Sequence, residues 1–468
     1  MHHPHNPSRR RLLHSMAAGT LSPLGRGLAQ AALALGGGAA LAQTGRGSLG
    51  FGPLRPVADL HTGLPLLMLP EGFSYRSFGW AGEALADGGG RMPGATDGMG
   101  IVAVDGEVFT LVRNHERSGL GGAFGDAATH YDAPCDGGTV TLRYDRAAGR
   151  LLQARGSLSG TLTNCAGGST PWGSWLSCEE IVSAPGQRLR RGGEPRPQRS
   201  HGWVFEVPAQ GGSDARPLTA LGQFRHEAAV VDAADGTVYL TEDQRPAGFY
   251  RLLPRTPGRL ADGGRLQMLG VAGRPDLRRG VAPGQRFAVQ WLDIERPEQG
   301  QGEDGLSQDG VLRQGRAAGG SLFSRLEGLW IGRGELFFTS TDGGDAGAGQ
   351  VWRFEPGRQE LELFHQSADK AVMDHPDNLC LAPDGSLVIC EDSGAPVQRL
   401  WWLDRQGGLQ ELARNNVQLN GELPGLAGDF RRAEWAGTCF SPDGRTLFAN
   451  VYAPGFSVAI SGPFSAWR

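Results

Sequence analysis

Carboxylates recur at the ends of short apolar segments along the whole chain. Glu180, Glu242, Glu327 and Glu391 each border such a segment, in equivalent positions of one repeated pattern. Carboxylates that a fold gathers in one place lose part of their water and repel one another, so they need cations to neutralise them. Their hard oxygen atoms suit calcium, magnesium, manganese or ferric iron. The pattern therefore predicts one shared metal site, and the alternative is a set of solvated charges at strand ends.

Cys165 and Arg325 add two further kinds of chemistry. Cys165 lies in a Gly-rich turn, NCAGG, at the start of one such segment. A thiolate beside carboxylates favours a transition metal over a pure calcium site, and the alternative is a buried free thiol. Arg325 precedes Glu327 by two residues, and its guanidinium group can hold a phosphate through two hydrogen bonds. The alternative for Arg325 is a structural salt bridge to a neighbouring carboxylate.

Three histidines border the same segments, and other catalytic motifs are absent from the sequence. His115, His226 and His375 are either metal ligands or side chains with structural hydrogen bonds. The chain has no G-x-S-x-G elbow, no Walker loop and no H-E-x-x-H motif. The residues thus favour metal-assisted chemistry over a serine nucleophile or nucleotide binding.

An internal repeat supplies the elements that must position these residues. Each unit has a polar or acidic entry, a short apolar strand, a Gly turn, a second apolar strand, and a polar or acidic exit. Asp-Gly turns in four units are strong hairpin signals, because glycine tolerates the positive φ of such turns. Repeats of this kind are typical of β-propellers, in which equivalent positions of the innermost strands approach one axis. The units cover residues 97–116, 164–180, 225–243, 325–342, 377–392 and 434–450.

We therefore expect an all-β fold, a β-propeller of about six blades. Residues 184–200 and 255–320 are rich in Gly, Arg, Pro and Gln and break the repeat. We expect them to be loop or short helical insertions. Cys380, Cys390 and Cys439 lie in apolar strand-like runs, which predicts small buried hydrophobic side chains. A disulfide between Cys380 and Cys390 is the less favoured alternative.

The N-terminus and the charge bear on location and partners. Residues 1–42 combine SRRRLL, a Gly- and Ala-rich apolar stretch and a small-residue cleavage site, which predicts a twin-arginine signal peptide. The alternative is a basic segment outside the fold. We expect residues 43–468 to form a single β-propeller catalytic domain, exported by the twin-arginine machinery to the periplasm or beyond. No later segment has the ~20 apolar residues that span a bilayer, and a net charge of -4 argues against nucleic-acid binding.

Eight segments carry one resemblance: RNHE (113–116), NCAGGSTPWGSW (164–175), CEE (178–180), RHEA (225–228), TED (241–243), RLEG (325–328), HPDN (375–378) and EWAG (434–437). Taken together, these segments resemble the PhoX-type alkaline phosphatase family, whose members are β-propeller phosphomonoesterases exported by the twin-arginine route. The resemblance extends over nearly the whole mature chain and is most specific in residues 164–180. This chain is shorter than many members, with reduced connecting insertions, which leaves its activity and substrate preference open.

The resemblance implies a metal centre of Fe3+ and Ca2+ ions. It implies that Cys165 is an iron ligand, that further metal ligands come from Glu180, Glu242 and Glu327, and that Arg325 contacts the substrate phosphate. The implied activity is that of a monomeric, metal-dependent alkaline phosphomonoesterase that releases phosphate from small organic phosphate esters. Two alternatives remain: a calcium-dependent propeller lactonase, which needs no thiolate, and a non-catalytic secreted propeller that binds a partner. Secondary site candidates are Glu116, Glu391 and Glu434.

Overall fold

A computed structural model describes residues 50–86, 88–189 and 196–464 of the chain. The predicted signal peptide, residues 1–42, lies outside these ranges. The described residues form strands throughout, with one short α-helix, α1 (Gly310–Ala317). The strands are β1 (Arg55–Val57), β2 (Leu67–Leu69), β3 (Ser74–Phe78), β4 (Thr96–Asp105), β5 (Val108–His115), β6 (Gly137–Asp145), β7 (Arg150–Thr161), β8 (Asn164–Ser169), β9 (Ser174–Glu179), β10 (Val204–Pro208), β11 (His226–Val231), β12 (Val238–Glu242), β13 (Phe249–Pro254), β14 (Gly264–Val271), β15 (Arg286–Asp293), β16 (Leu326–Gly332), β17 (Glu335–Ser340), β18 (Gln350–Glu355), β19 (Glu360–Gln366), β20 (Pro376–Leu381), β21 (Leu387–Glu391), β22 (Arg399–Leu403), β23 (Leu409–Asn415), β24 (Gln418–Leu423), β25 (Leu426–Asp429), β26 (Trp435–Phe440), β27 (Thr446–Val451) and β28 (Phe456–Ser461).

Neighbouring strands pair antiparallel and follow one another along the chain, as hairpins do. The sheet β4-β5-β6-β7 and the sheet β8-β9-β10 are built in this way. The predicted Asp-Gly turns join β4 to β5, β11 to β12, β20 to β21 and β26 to β27. Their glycines, Gly106, Gly236, Gly385 and Gly444, all have positive φ, from 58° to 96°. The hairpin prediction is therefore confirmed at all four turns.

Six strands line the centre and close into a ring. β4, β8, β11, β16, β20 and β26 contact one another in this order, and β26 contacts β4. The strand β3, the third from the N-terminal end, pairs with β28 and so completes the sheet of the C-terminal strands β26, β27 and β28. This pairing joins the two ends of the described chain. The predicted all-β, propeller-like architecture is confirmed.

The blade count departs from the predicted six. One sheet has nine strands, in the order β11-β12-β13-β14-β15-β19-β18-β17-β16, because β15 pairs with β19 and joins two four-stranded units. β14, β15 and α1 lie in residues 255–320, which the sequence predicts to be loop or short helix. Phe287, Val289 and Trp291 recur at every second residue of β15, and this period of two is the strand signal that the prediction overlooked.

Apolar side chains fill the spaces between the sheets. Phe249 stacks on Phe338 with ring centroids 4.4 Å apart. All six cysteines are buried and unbridged, and Cys380, Cys390 and Cys439 belong to apolar clusters. Their predicted role as buried hydrophobic side chains is confirmed, and Cys380 and Cys390 form no disulfide. In the described part of the chain, no helix is long and apolar enough to cross a membrane.

Candidate metal centre

The six inner strands share one local distortion at their start. In five of them the pairing register with the next strand breaks between the first and fourth residues, and in β26 it breaks one residue later. Such a bulge re-aims the side chains beside it. The second residues of the six strands are Asp97, Cys165, Glu227, Glu327, Asp377 and Ala436. Five of the six are therefore potential metal ligands.

A repeated backbone hydrogen bond fixes the other end of each hairpin. The residue after the second strand donates its N–H to the carbonyl of the residue before the inner strand, with N···O distances of 2.9 to 3.1 Å. The bond holds the exit of each hairpin beside its entry. The six donors are Glu116, Glu180, Asp243, Thr341, Asp392 and Tyr452, and their acceptors are Ala95, Thr163, Arg225, Arg325, His375 and Glu434.

These two features gather nine potential ligands into one acidic cluster. They fall into four groups, within each of which one ligand atom per residue lies within 4.8 Å of the others. Because Glu227, Asp377 and Glu434 each belong to two groups, the groups form one continuous set. The groups are Cys165–Glu180–Glu227, Glu227–Glu327–Asp377, Asp377–Asp392–Glu434 and Asp97–Glu116–Glu434.

Burial and mutual repulsion disfavour the charged forms of these carboxylates. Burial raises the pKa of Asp97 well above its ordinary value, and the carboxylates of Glu116 and Asp377 raise it further. Burial likewise raises the pKa of Glu227, with Glu327 and Glu180 adding to the effect. The pKa of Glu180 rises to about 8 through burial, although Arg225 opposes the rise. The cluster therefore needs protons or bound cations to balance its charge.

Cys165 is the one thiol of this cluster and lies on its buried side. Its Sγ lies 3.2 Å from the carbonyl oxygen of His226, and burial followed by the charges of Glu227 and Glu180 raises the pKa of its thiol well above the ordinary value. A bound cation reverses this effect and favours the thiolate. One thiolate among carboxylate oxygens is a donor set that fits iron together with calcium. The residues present therefore fit the ions that the family resemblance implies.

Two arginines lie against the cluster and neutralise part of its charge. Arg325 is buried and donates from Nε and Nη2 to Asp243 over 2.8 and 2.9 Å. It also pairs with Glu327, and Arg225 pairs with Glu180. The structure thus places the predicted phosphate contact, Arg325, beside a cluster carboxylate.

Glu242 takes a different position from the other predicted ligands. Its carboxylate accepts hydrogen bonds from the Gly248 N–H at 2.8 Å and from the Tyr250 hydroxyl at 2.9 Å. Asp243 follows β12 as Glu180 follows β9, so Asp243 is the residue equivalent to Glu180. Because successive residues of a strand point to opposite faces, Glu242 points away from the face of Asp243. The structure brings together Cys165, Glu180 and Glu327 and keeps Glu242 outside the four groups.

Other candidates also have partners outside the acidic cluster. Glu391 pairs with Arg399. His115 and His226 have ring nitrogens 3.0 and 2.9 Å from backbone carbonyl oxygens, and Nδ1 of His375 lies 2.6 Å from a carboxylate oxygen of Asp374. None of these four belongs to the ligand groups found among the described residues.

The sequence pattern does not single out Asp97, Glu227, Asp377 or Asp392, although all four lie in the repeated units. A usable signal lies in the residue after each of the five ligands at the second position of an inner strand, which is Gly, Ala or Asn. A Cβ on Gly98 would lie 2.8 Å from the Cys165 carbonyl oxygen of the next inner strand. An acid or cysteine followed by a small residue at the start of a strand therefore marks the position at which neighbouring strands approach closely.

Comparisons with known proteins relate the chain to one family and to one fold. The family described as Alkaline phosphatase PhoX matches residues 49–144 and 147–455. The structure of Pseudomonas fluorescens PhoX in complex with vanadate, a transition state analogue, is similar with a TM-score of 0.60 and 18% identity, over 87% of this chain and 97% of that chain. A gluconolactonase from Xanthomonas campestris has a TM-score of 0.39 and 13% identity, over 88% of this chain and 98% of that chain. No curated protein sequence matches the chain.

The family match covers most of the chain and includes every residue of the acidic cluster. The fold likeness to the Pseudomonas protein covers nearly all of that protein. The predicted resemblance is thus confirmed, and this chain belongs to the PhoX family of alkaline phosphatases.

Proposed function

We propose that this protein is a metal-dependent alkaline phosphomonoesterase that releases phosphate from small organic phosphate esters, with the acidic cluster as its active site. The observation that carries the proposal is the convergence of Cys165 and eight carboxylates from the hairpins of the central ring. Membership of the alkaline phosphatase family supports the reaction class. A solvated set of strand-end charges does not account for a cluster in which Glu227, Glu327 and Cys165 are all buried.

The ions we propose are Fe3+ and Ca2+. Cys165, Glu180 and Glu227 offer the one mixed sulfur and oxygen group of the cluster and suit iron, whereas the all-carboxylate groups suit calcium. When bound, such ions polarise a phosphoryl group and offset charge on its oxygens. The ligand role of Glu242 stays a prediction, although neither Glu242 nor its neighbour Asp243 belongs to the four ligand groups.

The protein's own residues can bind and orient the ester. Cys165, Glu227 and Glu327 are buried, whereas Asp97 and Glu180 are half-buried. The cluster therefore has a dry side and a side that solvent and substrate can reach. We propose that Arg325 contacts the substrate phosphate, since Asp243 holds its guanidinium plane beside Glu327. A guanidinium fixed in this way can bind phosphate oxygens at a lower entropic cost than a mobile one.

Finer features of the protein belong to the same proposal. We also propose that residues 43–468 act as a single catalytic domain. Export by the twin-arginine machinery to the periplasm or beyond, and action as a monomer, complete the proposal.

The test is a substrate comparison on one purified, metal-loaded sample. We expect release of phosphate from a chromogenic phosphomonoester at alkaline pH, loss of that activity on chelation, and no hydrolysis of a lactone. The exposed-site variant Glu295→Gln should behave as wild type, whereas Glu227→Gln should lose activity. Calcium-dependent lactone hydrolysis without phosphate release would favour the lactonase, and neither activity in a fully metallated sample would favour a binding module.

A further inference from the structure

A second group of metal-ligand side chains lies outside the acidic cluster. Asp132 and Cys135 lie in the connection between β5 and β6, and His201 precedes β10. All three side chains are buried, and one donor atom from each lies within 4.8 Å of the other two. None of the three belongs to the acidic cluster, and the proposed phosphatase chemistry does not use them.

The three donor atoms are spaced as a metal ion would require. Cys135 Sγ lies 3.7 Å from His201 Nε2 and 3.7 Å from Asp132 Oδ2, and the two latter atoms are 3.3 Å apart. In a tetrahedral zinc site, bonds of about 2.3 Å to sulfur and about 2.0 Å to nitrogen or oxygen separate the ligand atoms by roughly 3.3 to 3.6 Å. The observed triangle therefore has nearly the dimensions of one face of such a tetrahedron.

The surroundings of His201 are those of a metal-binding histidine. Its Nδ1 lies 2.7 Å from Oε1 of Glu179, which fixes the ring so that Nε2 points at Cys135 and Asp132. Glu179 is held in turn by backbone N–H groups of Leu162 and Gly202, at 2.8 and 2.9 Å. A carboxylate that orients the far nitrogen of a histidine ligand is the usual outer shell of a zinc site.

We propose that Asp132, Cys135 and His201 form a second metal site that binds one Zn2+ ion, with a fourth position open to water. The mixed sulfur, nitrogen and oxygen donor set is one that zinc prefers and that calcium does not. The competing description is a metal-free network in which a protonated imidazole bridges Glu179 and Asp132 and the Cys135 thiol stays protonated. The two descriptions differ in whether a thiolate–metal bond exists.

The second metal site would stabilise the position of the acidic cluster through a residue next to it in the chain. Glu179 ends β9, and the next residue is the cluster member Glu180. The ion would tie His201 to Asp132 and Cys135, and so join the segment that leads into β10 to the connection between β5 and β6. We therefore assign this ion a structural role, with no contact to substrate.

The test is X-ray absorption at the zinc edge, together with elemental analysis, of the full protein produced in zinc-supplemented medium. We expect one zinc per chain with one sulfur neighbour at about 2.3 Å and nitrogen or oxygen neighbours at about 2.0 Å. The variants Cys135→Ser and His201→Gln should lose the zinc, and Cys135→Ser should lose the sulfur neighbour. Cys439→Ser, which changes a buried cysteine in an apolar cluster, is the matched control and should keep both.

Cys165→Ser separates this site from the acidic cluster. If the zinc–sulfur signal persists in Cys165→Ser, the thiolate that binds zinc is that of the second site. This result supports Asp132, Cys135 and His201 as the zinc ligands. Loss of the signal in Cys165→Ser but not in Cys135→Ser would overturn the proposal. So would a folded wild-type protein that holds no zinc, or a zinc–sulfur signal that survives in folded Cys135→Ser.

Discussion

Replacing Glu227 by Gln should make the metal-free protein more stable while it destroys the metal site. Glu227 is buried and belongs to two ligand groups, which it shares with Glu180, Glu327 and Asp377 among others. Glutamine keeps the size of the side chain and removes its charge. Without metal, burial and the carboxylates of Glu327 and Glu180 disfavour that charge and raise the pKa of Glu227.

The size of the effect depends on pH. Two charges 4.8 Å apart repel by about 3 kcal/mol at an effective dielectric constant near 20. The repulsion from three such neighbours exceeds the free-energy cost of protonating Glu227. The cost of protonation therefore sets the upper limit of the stability difference. That cost is about 1.4 kcal/mol for each pH unit above the ordinary pKa of 4.5. The free energy of unfolding of the metal-free variant should therefore exceed that of wild type by up to about 6 kcal/mol at pH 9 and by less than about 1 kcal/mol at pH 5.

The assay is denaturant unfolding of chelator-treated protein at both pH values, followed by elemental analysis of the metal-loaded forms. Glu295→Gln removes the same charge from an exposed position and should change the free energy of unfolding by less than about 0.5 kcal/mol. Metal-loaded Glu227→Gln should hold fewer ions than wild type. A variant that is destabilised without metal at both pH values, or one with full metal content, would refute the reasoning.

Three further outcomes are expected. Metal-free protein should lose stability as pH rises from about 5 to 9, since a raised folded-state pKa, about 8 for Glu180, confers stability that is lost as the carboxylate ionises; bound Ca2+ and Fe3+ should abolish this loss. Arg325→Lys keeps the charge but removes the two-pronged contact with Asp243, so kcat/KM for a phosphomonoester should fall about 10- to 100-fold, in line with hydrogen bonds to charged groups. Gly437→Ala should cost about 1–3 kcal/mol of stability and lower activity, because its Cβ would lie 2.6 Å from the Asp97 carbonyl oxygen.

Matched measurements check each of these outcomes. Thermal unfolding of chelated and reloaded protein across pH tests the first, and stability that rises with pH in the chelated sample contradicts it. Steady-state kinetics tests Arg325→Lys, and an unchanged kcat/KM contradicts the proposed phosphate contact. For Gly437→Ala the control is Gly407→Ala, since Gly407 also has positive φ, 87°, but an added Cβ there meets nothing within 4 Å. Equal losses of stability at the two glycines would show that backbone strain, and not the contact with Asp97, is responsible.

The repeat and its turns were readable from the sequence because they depend on local chemistry. Asp-Gly turns and short apolar runs specify hairpins wherever they occur, and the structure has hairpins at all four turns. The pairing of β15 with β19, which joins two sheets, could not be predicted from the sequence. It depends on contact between Arg286 and Glu362, which are far apart along the chain. Local patterns carry no information on that contact.

The site was predictable in kind but not residue by residue. Cys165, Glu180 and Glu327 meet as the repeat implied, whereas Glu242 points to the face opposite its neighbour Asp243. A shift of one residue along a strand reverses the direction of a side chain, and the bulges that set this direction leave only a weak sequence signal. The proximity of Asp132, Cys135 and His201 could not be predicted from the sequence, because Cys135 and His201 are 66 positions apart along the chain.

The most direct test of the central claim is phosphate release by one sample in three states: as isolated, after chelation, and after Fe3+ and Ca2+ are restored. Elemental analysis of each state gives the number of ions per chain. The acidic cluster, as a metal centre for phosphomonoester hydrolysis, predicts activity that disappears with the ions and returns with them, and no recovery in Glu227→Gln. Full activity in a sample free of iron and calcium, or no phosphate release from a fully loaded one, would contradict it.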